Sequence, residues 1–215
     1  MISPKIPIAK EGYPFLGSAV LITLIVAILG YRFLTLVSLL VSLFILYFFR
    51  DPERFTPGET DSLICPADGK VILIEKIFDD RFFKEYVHKV SIFMNIFDVH
   101  VNRIPLTGKV ERILYTPGTF YSADTDHGGL MNENCATIIT SEAGRKIAVV
   151  QVAGLIARRI VCWLEREDKV QQGDRFGLIR FGSRVDLYIP GSLQISIKKG
   201  QIVRAGETIL GQLIA

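Results

Sequence analysis

The stretch Arg180-Phe181-Gly182-Ser183-Arg184-Val185 lies between two apolar runs that we interpret as β-strands. The runs are Arg175–Phe181 and Arg184–Ile189, and their aromatic and β-branched residues favour strand structure. The glycine of the pair has no Cβ, so the hydroxyl of the serine can approach the preceding carbonyl closely. Gly-Ser pairs are also common in turns, and this chain has two more, Gly17-Ser18 and Gly191-Ser192. What distinguishes the first pair must therefore come from the rest of the chain.

Short apolar runs recur after residue 62, and glycine or proline separates them, as is typical of β-strands. Val185, Leu187 and Ile189 alternate with Asp186 and Tyr188, which predicts a strand with one buried face. The predicted strands are Val71–Ile77, Val90–Ile96, Val110–Tyr115, Ala136–Thr140, Ile147–Val152, Phe176–Phe181, Val185–Ile189, Leu193–Ile197 and Thr208–Ile214.

Within this part of the chain, only Ala157–Asp168 has a helical pattern. The C-terminal Lys199–Glu207 has the Gly-x-x-Val-x-x-Gly spacing of the turns in small biotinyl- and lipoyl-type barrels. We therefore predict a mainly β (α+β) fold with a compact β-rich catalytic domain and biotinyl- or lipoyl-like turns, preceded by an N-terminal hydrophobic helical hairpin.

That hairpin is predicted from the apolar segment 13–49, in which Arg32 carries the only full charge. A single helix of this length would reach roughly 50 Å, whereas a hydrocarbon core is about 30 Å thick. A break at Gly30-Tyr31-Arg32 divides the segment into two arms, Phe15–Leu29 and Phe33–Phe49, each short for a full span. Whether the hairpin crosses the bilayer or only dips into it stays open.

The predicted organisation is a membrane-anchoring hairpin over 1–50, a linker rich in Pro, Gly and charge over 51–62, and a β-domain over 63–215. Basic residues flank the hairpin, so we expect both of its ends and the β-domain on the cytoplasmic face of the cell membrane. A signal peptide is disfavoured by the apolar length, and a buried soluble helix pair is the alternative. The flanking basic residues are Lys5, Lys10, Arg50 and Arg54.

The formal net charge is only +3, and no basic stripe with interleaved aromatic residues occurs, so we expect no nucleic-acid partner. The cysteines are odd in number and far apart, which favours reduced thiols. The histidines lack metal-ligand spacing, and we expect no metal. These residues are Cys65, Cys135 and Cys162, and His88, His100 and His127.

Two polar stretches could carry chemistry. Pro66-Ala67-Asp68-Gly69 places a carboxylate at a tight turn, although Asp-Gly is also a plain turn signal. Asp98–Pro105 contains an acid, an imidazole, an amide and a guanidinium. In a strand, Asp98, His100 and Asn102 would share one face, which could equally be a solvated polar edge.

Taken with Gly182-Ser183, these stretches resemble the phosphatidylserine decarboxylase family in its shorter proenzyme form. The self-cleavage motif of that family is Leu-Gly-Ser-Thr, and here it is Phe181-Gly182-Ser183-Arg184, while Gly191-Ser192 lies one strand too late. The resemblance extends over nearly the whole chain. It includes the apolar hairpin, Pro66–Gly69, Asp98–Pro105, Pro117-Gly118 with Phe120, Asn132-Glu133 and Phe176–Val185.

The resemblance implies a proenzyme that cleaves itself between Gly182 and Ser183 into a large chain, 1–182, and a small chain, 183–215, which stay together. Ser183 becomes a covalent pyruvoyl group, which forms a Schiff base with phosphatidylserine in the membrane and yields phosphatidylethanolamine and CO₂. No metal or other coenzyme is implied, and homo-oligomer formation stays open.

The resemblance also implies site roles: Asp68 as the acid that orients the histidine, His100 as the base and Ser183 as the nucleophile. Many members carry Asp-x-His-x-x-His-x-Pro, but the second histidine position is Arg103 here. Either His100 serves as the base in both self-cleavage and decarboxylation, or another residue such as His127 helps. The candidate substrate-binding residues are Arg103, Arg184 and His127. By charge alone, the candidates for the headgroup phosphate are Arg103, Arg158, Arg159 and Arg184.

Two other functions are alternatives for this sequence. A membrane-anchored carrier or adaptor would use Lys198 or Lys199, but the Met-Lys-Met turn of carrier domains is absent. A serine hydrolase would use Ser183, but the chain lacks the Gly-x-Ser-x-Gly elbow around it.

Overall fold

The computed structural model describes residues 7–58, 62–155, 159–180 and 182–214. It divides into two compact units, Met1–Glu53 and Arg54–Ala215. The first is helical and the second consists mainly of strands, which confirms the predicted fold class.

The first unit is a helical hairpin. After a 3₁₀ turn at Lys10–Gly12, helix α1 runs over Tyr13–Ile28 and helix α2 over Arg32–Phe48. The turn between them lies at the predicted break, where Gly30 adopts a positive φ of 78° that favours glycine.

The two ends of the hairpin are joined by backbone hydrogen bonds. The N–H of Ala9 donates to the Phe49 carbonyl at 2.8 Å, and that of Asp51 to the Pro7 carbonyl at 2.7 Å. The chain therefore enters and leaves the hairpin on the same side. Lys10–Ile28 is long and apolar enough to cross a membrane, whereas α2 is shorter.

In the described part of the second unit, the strands form three antiparallel sheets. The strands are β1 Ser62–Ile64, β2 Gly69–Asp79, β3 Glu85–Met94, β4 Val101–Arg103, β5 Gly108–Thr116, β6 Asn134–Thr140, β7 Lys146–Val152, β8 Ile160–Cys162, β9 Lys169–Val170, β10 Arg175–Ile179, β11 Ser183–Pro190, β12 Leu193–Ile195, β13 Ile202–Val203 and β14 Ile209–Leu213, with a short helix α3 at Asp126–Met131. The largest sheet has the order β13-β2-β3-β11-β7-β6-β5-β9, and the smaller two are β1-β14-β12 and β4-β10-β8.

Strand β11 is central in the largest sheet and is buried on both faces. Val185, Leu187 and Ile189 belong to the main hydrophobic core, as their alternation predicts. Asp186 and Tyr188, on the other face, are buried too. The Tyr188 ring packs against Phe82, with 5.2 Å between ring centroids, so a second apolar cluster covers the face that we expected to be solvated.

The predicted helix over Ala157–Asp168 is wrong where the structure describes it. Ile160–Cys162 is strand β8 and pairs with β10, with Cys162 opposite Gly177. Gly177 allows this pairing because its missing Cβ would overlap the Val161 carbonyl. The chain then turns at Glu167, which has a φ of 77°.

Parts of several predictions lie outside the described residues. These are Lys5, residues 59–61 of the linker, residues 156–158 of the predicted helix and Phe181 at the end of a predicted strand. Residues 51–58 of the linker form neither helix nor strand.

Candidate active site

Ser183 is the first residue of β11 and lies opposite Met94, the last residue of β3. The glycine before it has a φ of 63°, in the left-handed region that other residues rarely adopt. Ser183 is fully buried, and its Oγ has no hydrogen-bond partner among the described residues. A buried hydroxyl without a partner costs roughly 1–3 kcal/mol, so its presence suggests a chemical role.

His100 precedes β4 and is almost completely buried. Its Nδ1 lies 3.0 Å from the carbonyl oxygen of Asp98. Because a carbonyl can only accept, Nδ1 carries a hydrogen. In the neutral ring Nε2 is then the basic nitrogen, and a general base acting through Nε2 requires this tautomer.

Strand pairing brings His100 and Ser183 to the same region of the domain. Val101, the residue after His100, lies opposite Leu178 on β10. From there β10 continues within a few residues into the Gly-Ser pair. Two residues that are far apart in sequence are thus carried by neighbouring strand ends.

Asn102 provides a buried polar link at this end of the sheet. Its Oδ1 accepts a 2.8 Å hydrogen bond from Nε2 of Gln151 on β7, and its Nδ2 lies 3.6 Å from Sδ of Met94. Asn102 is fully buried, so the polar residues around His100 are not a solvated edge there.

Asp68 is held by two protein groups. Its Oδ2 pairs with Nη2 of Arg54 at 2.9 Å, and its Oδ1 accepts from the Ala205 N–H at 2.7 Å. Both carboxylate oxygens thus have partners other than His100, the partner expected from the sequence. Burial, reinforced by the negative charge of Asp68, raises the pKa of the Cys65 thiol to about 12.

The segment that carries Asp68 nevertheless runs towards His100. The Ile64 N–H donates to the Pro105 carbonyl, and the Arg103 N–H donates to the Pro66 carbonyl. The two segments are therefore antiparallel, and the chain from Pro66 to Asp68 proceeds in the direction of His100.

Two of the candidate arginines are engaged with the protein itself. Arg103 is nearly buried and donates from Nη1 to the Gly173 carbonyl at 2.9 Å. The buried guanidinium of Arg184 donates to the Asp186 carboxylate, to Oγ of Ser91 at 3.0 Å and to the Thr125 carbonyl at 3.3 Å.

The remaining candidates are placed differently. Arg159 is exposed, and its carbonyl accepts from the Arg180 N–H at 3.3 Å, beside the approach to Gly182. Arg158 and the side chain of His127 lie outside the described residues.

Arg54 is a site neighbour that sequence reasoning missed. The sequence indicates only a basic residue that flanks the hairpin, yet Arg54 pairs with both Asp68 and Glu207. Nothing in the local pattern indicates such a pair, because Glu207 is far away in the sequence and only the fold brings the three together.

Comparison with known proteins identifies the family of the chain. The family model described as phosphatidylserine decarboxylase matches residues 41–211. A phosphatidylserine decarboxylase proenzyme from Desulfotalea psychrophila is 58% identical over the whole of both chains. Proenzymes of the same name from Syntrophotalea carbinolica and Syntrophus aciditrophicus are 47% and 46% identical, over 96% and 95% of this chain and 97% and 96% of their own.

The fold and the relatives therefore define an enzyme of the decarboxylase class. The chain belongs to the phosphatidylserine decarboxylase family.

Proposed function

We propose that this protein is a self-processing, pyruvoyl-dependent phosphatidylserine decarboxylase that produces phosphatidylethanolamine and CO₂. The observation that carries the proposal is the buried Oγ of Ser183, which has no hydrogen-bond partner among the described residues and directly follows Gly182. In a chain of this family, we assign to that hydroxyl the attack on the carbonyl before it.

In the proposed self-cleavage, Ser183 Oγ attacks the Gly182 carbonyl carbon while His100 Nε2 accepts the hydroxyl proton. The C–N bond breaks, the nitrogen of residue 183 takes up a proton, and an ester replaces the amide. Loss of the Cα proton of residue 183 then expels the Gly182 carboxylate. Water finally replaces the nitrogen of the resulting dehydroalanine, and ammonia leaves.

His100 is suited to these proton transfers because the Asp98 carbonyl fixes its tautomer. Asp68 is proposed as the acid that supports His100. In the structure, Arg54 and the Ala205 N–H fix its carboxylate, so we place its action in orienting the adjacent backbone and in its charge. After self-cleavage, His100 would return a proton to the substrate carbon once CO₂ has left.

The buried hydroxyl at position 183 is compatible with a pyruvoyl group, since that group is formed from the serine itself. When present, the pyruvoyl group supplies an electrophilic carbonyl that holds the substrate amine and accepts the electron pair released with CO₂. The chain's own contribution is a site that excludes water and holds His100 in a fixed orientation.

For the headgroup phosphate we favour Arg159 among the candidate arginines, because its side chain is exposed and its backbone pairs with Arg180, two residues before Gly182. Arg103 and Arg184 are proposed to support the site, since their guanidinium groups donate to protein oxygens. The side chain of His127 stays a candidate helper for the proton transfers.

We also propose that residues 1–50 anchor the enzyme in the membrane, with the β-domain of 63–215 on its cytoplasmic face and 51–62 as the linker. Support comes from the length and apolar character of Lys10–Ile28 and from the hairpin ends, which lie side by side. Tethering at the bilayer raises the effective concentration of a lipid that is nearly absent from free solution.

Mass spectrometry of the purified protein tests the proposal directly. We expect a chain that ends at Gly182 and a second chain that covers 183–215 and begins with a pyruvoyl group. Borohydride in the presence of phosphatidylserine should label only the small chain. An intact chain that still decarboxylates phosphatidylserine, or a small chain that begins with unmodified serine, would contradict the proposal.

A further inference from the structure

The chain that follows β7 lies directly against the Gly182 carbonyl. Val152, the last residue of β7, pairs with Arg184, and Ala153 and Gly154 continue alongside the Gly-Ser pair. A Cβ added to Gly154 would overlap the carbonyl oxygen of Gly182. It would also lie 2.9 Å from that carbonyl carbon and 3.6 Å from the nitrogen of Ser183. The space that a Cβ of residue 154 would take is thus occupied by the carbonyl oxygen of the peptide bond that is proposed to break.

Hydrogen bonds hold Ala153, the residue directly before Gly154, in place. The Ala153 N–H donates to the Glu133 carbonyl at 2.9 Å, and the Ala153 carbonyl accepts from Nδ2 of Asn132 at 2.8 Å. Asn132 is itself buried and exchanges two 2.8 Å hydrogen bonds with the backbone of Tyr121. The backbone facing Gly182 is therefore fixed rather than adaptable.

We propose that Gly154 is a positioning residue for self-cleavage: its bare Cα sets the location and direction of the Gly182 carbonyl relative to Ser183 Oγ. This inference rests on the proposed self-processing. Attack forms a bond from Oγ to the carbonyl carbon, and the carbonyl oxygen gains negative charge as that carbon becomes tetrahedral. A side chain at residue 154 would displace this oxygen, and a misplacement of about 1 Å can slow a reaction about 10²-fold.

Gly108 provides a matched control. A Cβ on Gly108 would overlap the Thr140 carbonyl oxygen and lie 2.8 Å from its carbon, so the steric conflict is of the same kind. The carbonyl concerned is not next to a Gly-Ser bond. Any effect of Gly154→Ala that Gly108→Ala shares is therefore a packing effect.

The experiment compares precursor conversion in full-length wild type, Gly154→Ala and Gly108→Ala, by denaturing gel, with melting temperatures measured in parallel. We expect Gly154→Ala to process about 10²-fold more slowly than wild type and Gly108→Ala to process at the wild-type rate, although both are destabilised. Hydroxylamine cleaves esters, so it should not rescue Gly154→Ala, in which the acyl shift itself is slowed.

The outcomes separate this inference from the proposed function. If folded Gly154→Ala processes like Gly108→Ala, or if hydroxylamine restores its cleavage, the role assigned to Gly154 is wrong while self-processing stands. If wild type is never processed, the proposed function itself fails.

A second variant covers the case in which Gly154→Ala does not fold. Asn132→Asp keeps the side-chain size but replaces the donor to the Ala153 and Tyr121 carbonyls by an oxygen, and it adds no atom next to Gly182. Losing these two hydrogen bonds should slow processing at least about tenfold. Folded Asn132→Asp that processes at the wild-type rate would overturn the inference.

Discussion

The two ends of strand β11 carry the same dipeptide in different surroundings. Gly182-Ser183 begins the strand, and Gly191-Ser192 follows its last residue. Both glycines have positive φ angles, 63° and 80°, and a Cβ on either would meet no described atom within 4 Å. Yet Ser183 is completely buried, whereas Ser192 is exposed in a surface pocket of about 370 Å³.

The difference lies in the neighbouring strands rather than in the dipeptide. At the Ser183 end, the last residues of β3 and β7 flank the serine, and Asn102 links those strands. At the Ser192 end, the chain simply turns, and the Ser192 carbonyl accepts from the Ile214 N–H at 3.1 Å. Local sequence thus determines the bend, while the tertiary surroundings determine which of the two serines is buried.

Replacing each serine by alanine tests this contrast most strongly. Ser183→Ala should remain a single chain without decarboxylase activity, because the attacking hydroxyl is gone. Ser192→Ala should yield the same two chains as wild type. A denaturing gel and intact-mass measurement distinguish the two variants, and cleavage of Ser183→Ala at its usual position would refute the assignment.

The histidines near the two ends provide the next comparison. His100 lies at the Ser183 end, whereas His88 pairs with Ile189 at the other. His100→Gln should slow self-cleavage about 10²–10⁴-fold, since a positioned base contributes that much. His88→Gln should process normally. Time courses of precursor conversion measure both rates, and equal rates for the two variants would exclude His100 as the base.

The fold was largely predictable because strands leave a local pattern. The alternation of Val185, Leu187 and Ile189 correctly identified the core-facing side of β11. The same method failed at Ala157–Asp168, where pairing of Ile160–Cys162 with β10 determines the structure and the helical pattern does not. Short strands such as β4 depend on partners distant in sequence, so their own residues do not reveal them.

The candidate site was predictable only in part, and chiefly through the family resemblance. Sequence identified the Gly-Ser pair at 182–183 and the polar stretch around His100. It could not show that Ser183 is buried, that Arg54 holds Asp68, or that Gly154 lies against the Gly182 carbonyl. These facts are contacts between segments far apart in the chain, for which a single sequence carries no signal.

The charged side chains at the two ends differ in burial as the serines do. Arg184 and its partner Asp186 are both fully buried. Arg184→Gln should lower the free energy of unfolding by about 3–5 kcal/mol, because the Asp186 charge would lose its closest partner. Urea titration in a Ser183→Ala background keeps the chain uncleaved. Arg166→Gln, which changes an exposed arginine, should stay within about 0.5 kcal/mol of its parent. A similarly small effect for Arg184→Gln would contradict the buried pair.

At the Ser192 end, the ion pair between Glu111 and Lys146 is solvent-exposed, with Nζ 2.7 Å from the carboxylate and both side chains more than 40% exposed. Hydrogen bonds from Lys146 and then Thr140 lower the pKa of the Glu111 carboxyl. A lowered pKa in the folded state stabilises the protein above the ordinary pKa of glutamate, and this stabilisation is lost as the pH falls through the lowered value.

Solvent screening limits the effect, so Glu111→Gln should lower the free energy of unfolding by only about 0.2–1 kcal/mol at pH 7. The difference should shrink as the pH falls, because wild-type Glu111 then takes up a proton. Urea titrations of wild type and variant at pH 7 and pH 3, again in the Ser183→Ala background, measure it. A larger loss at pH 3 than at pH 7 would mean that the pair matters through packing rather than charge.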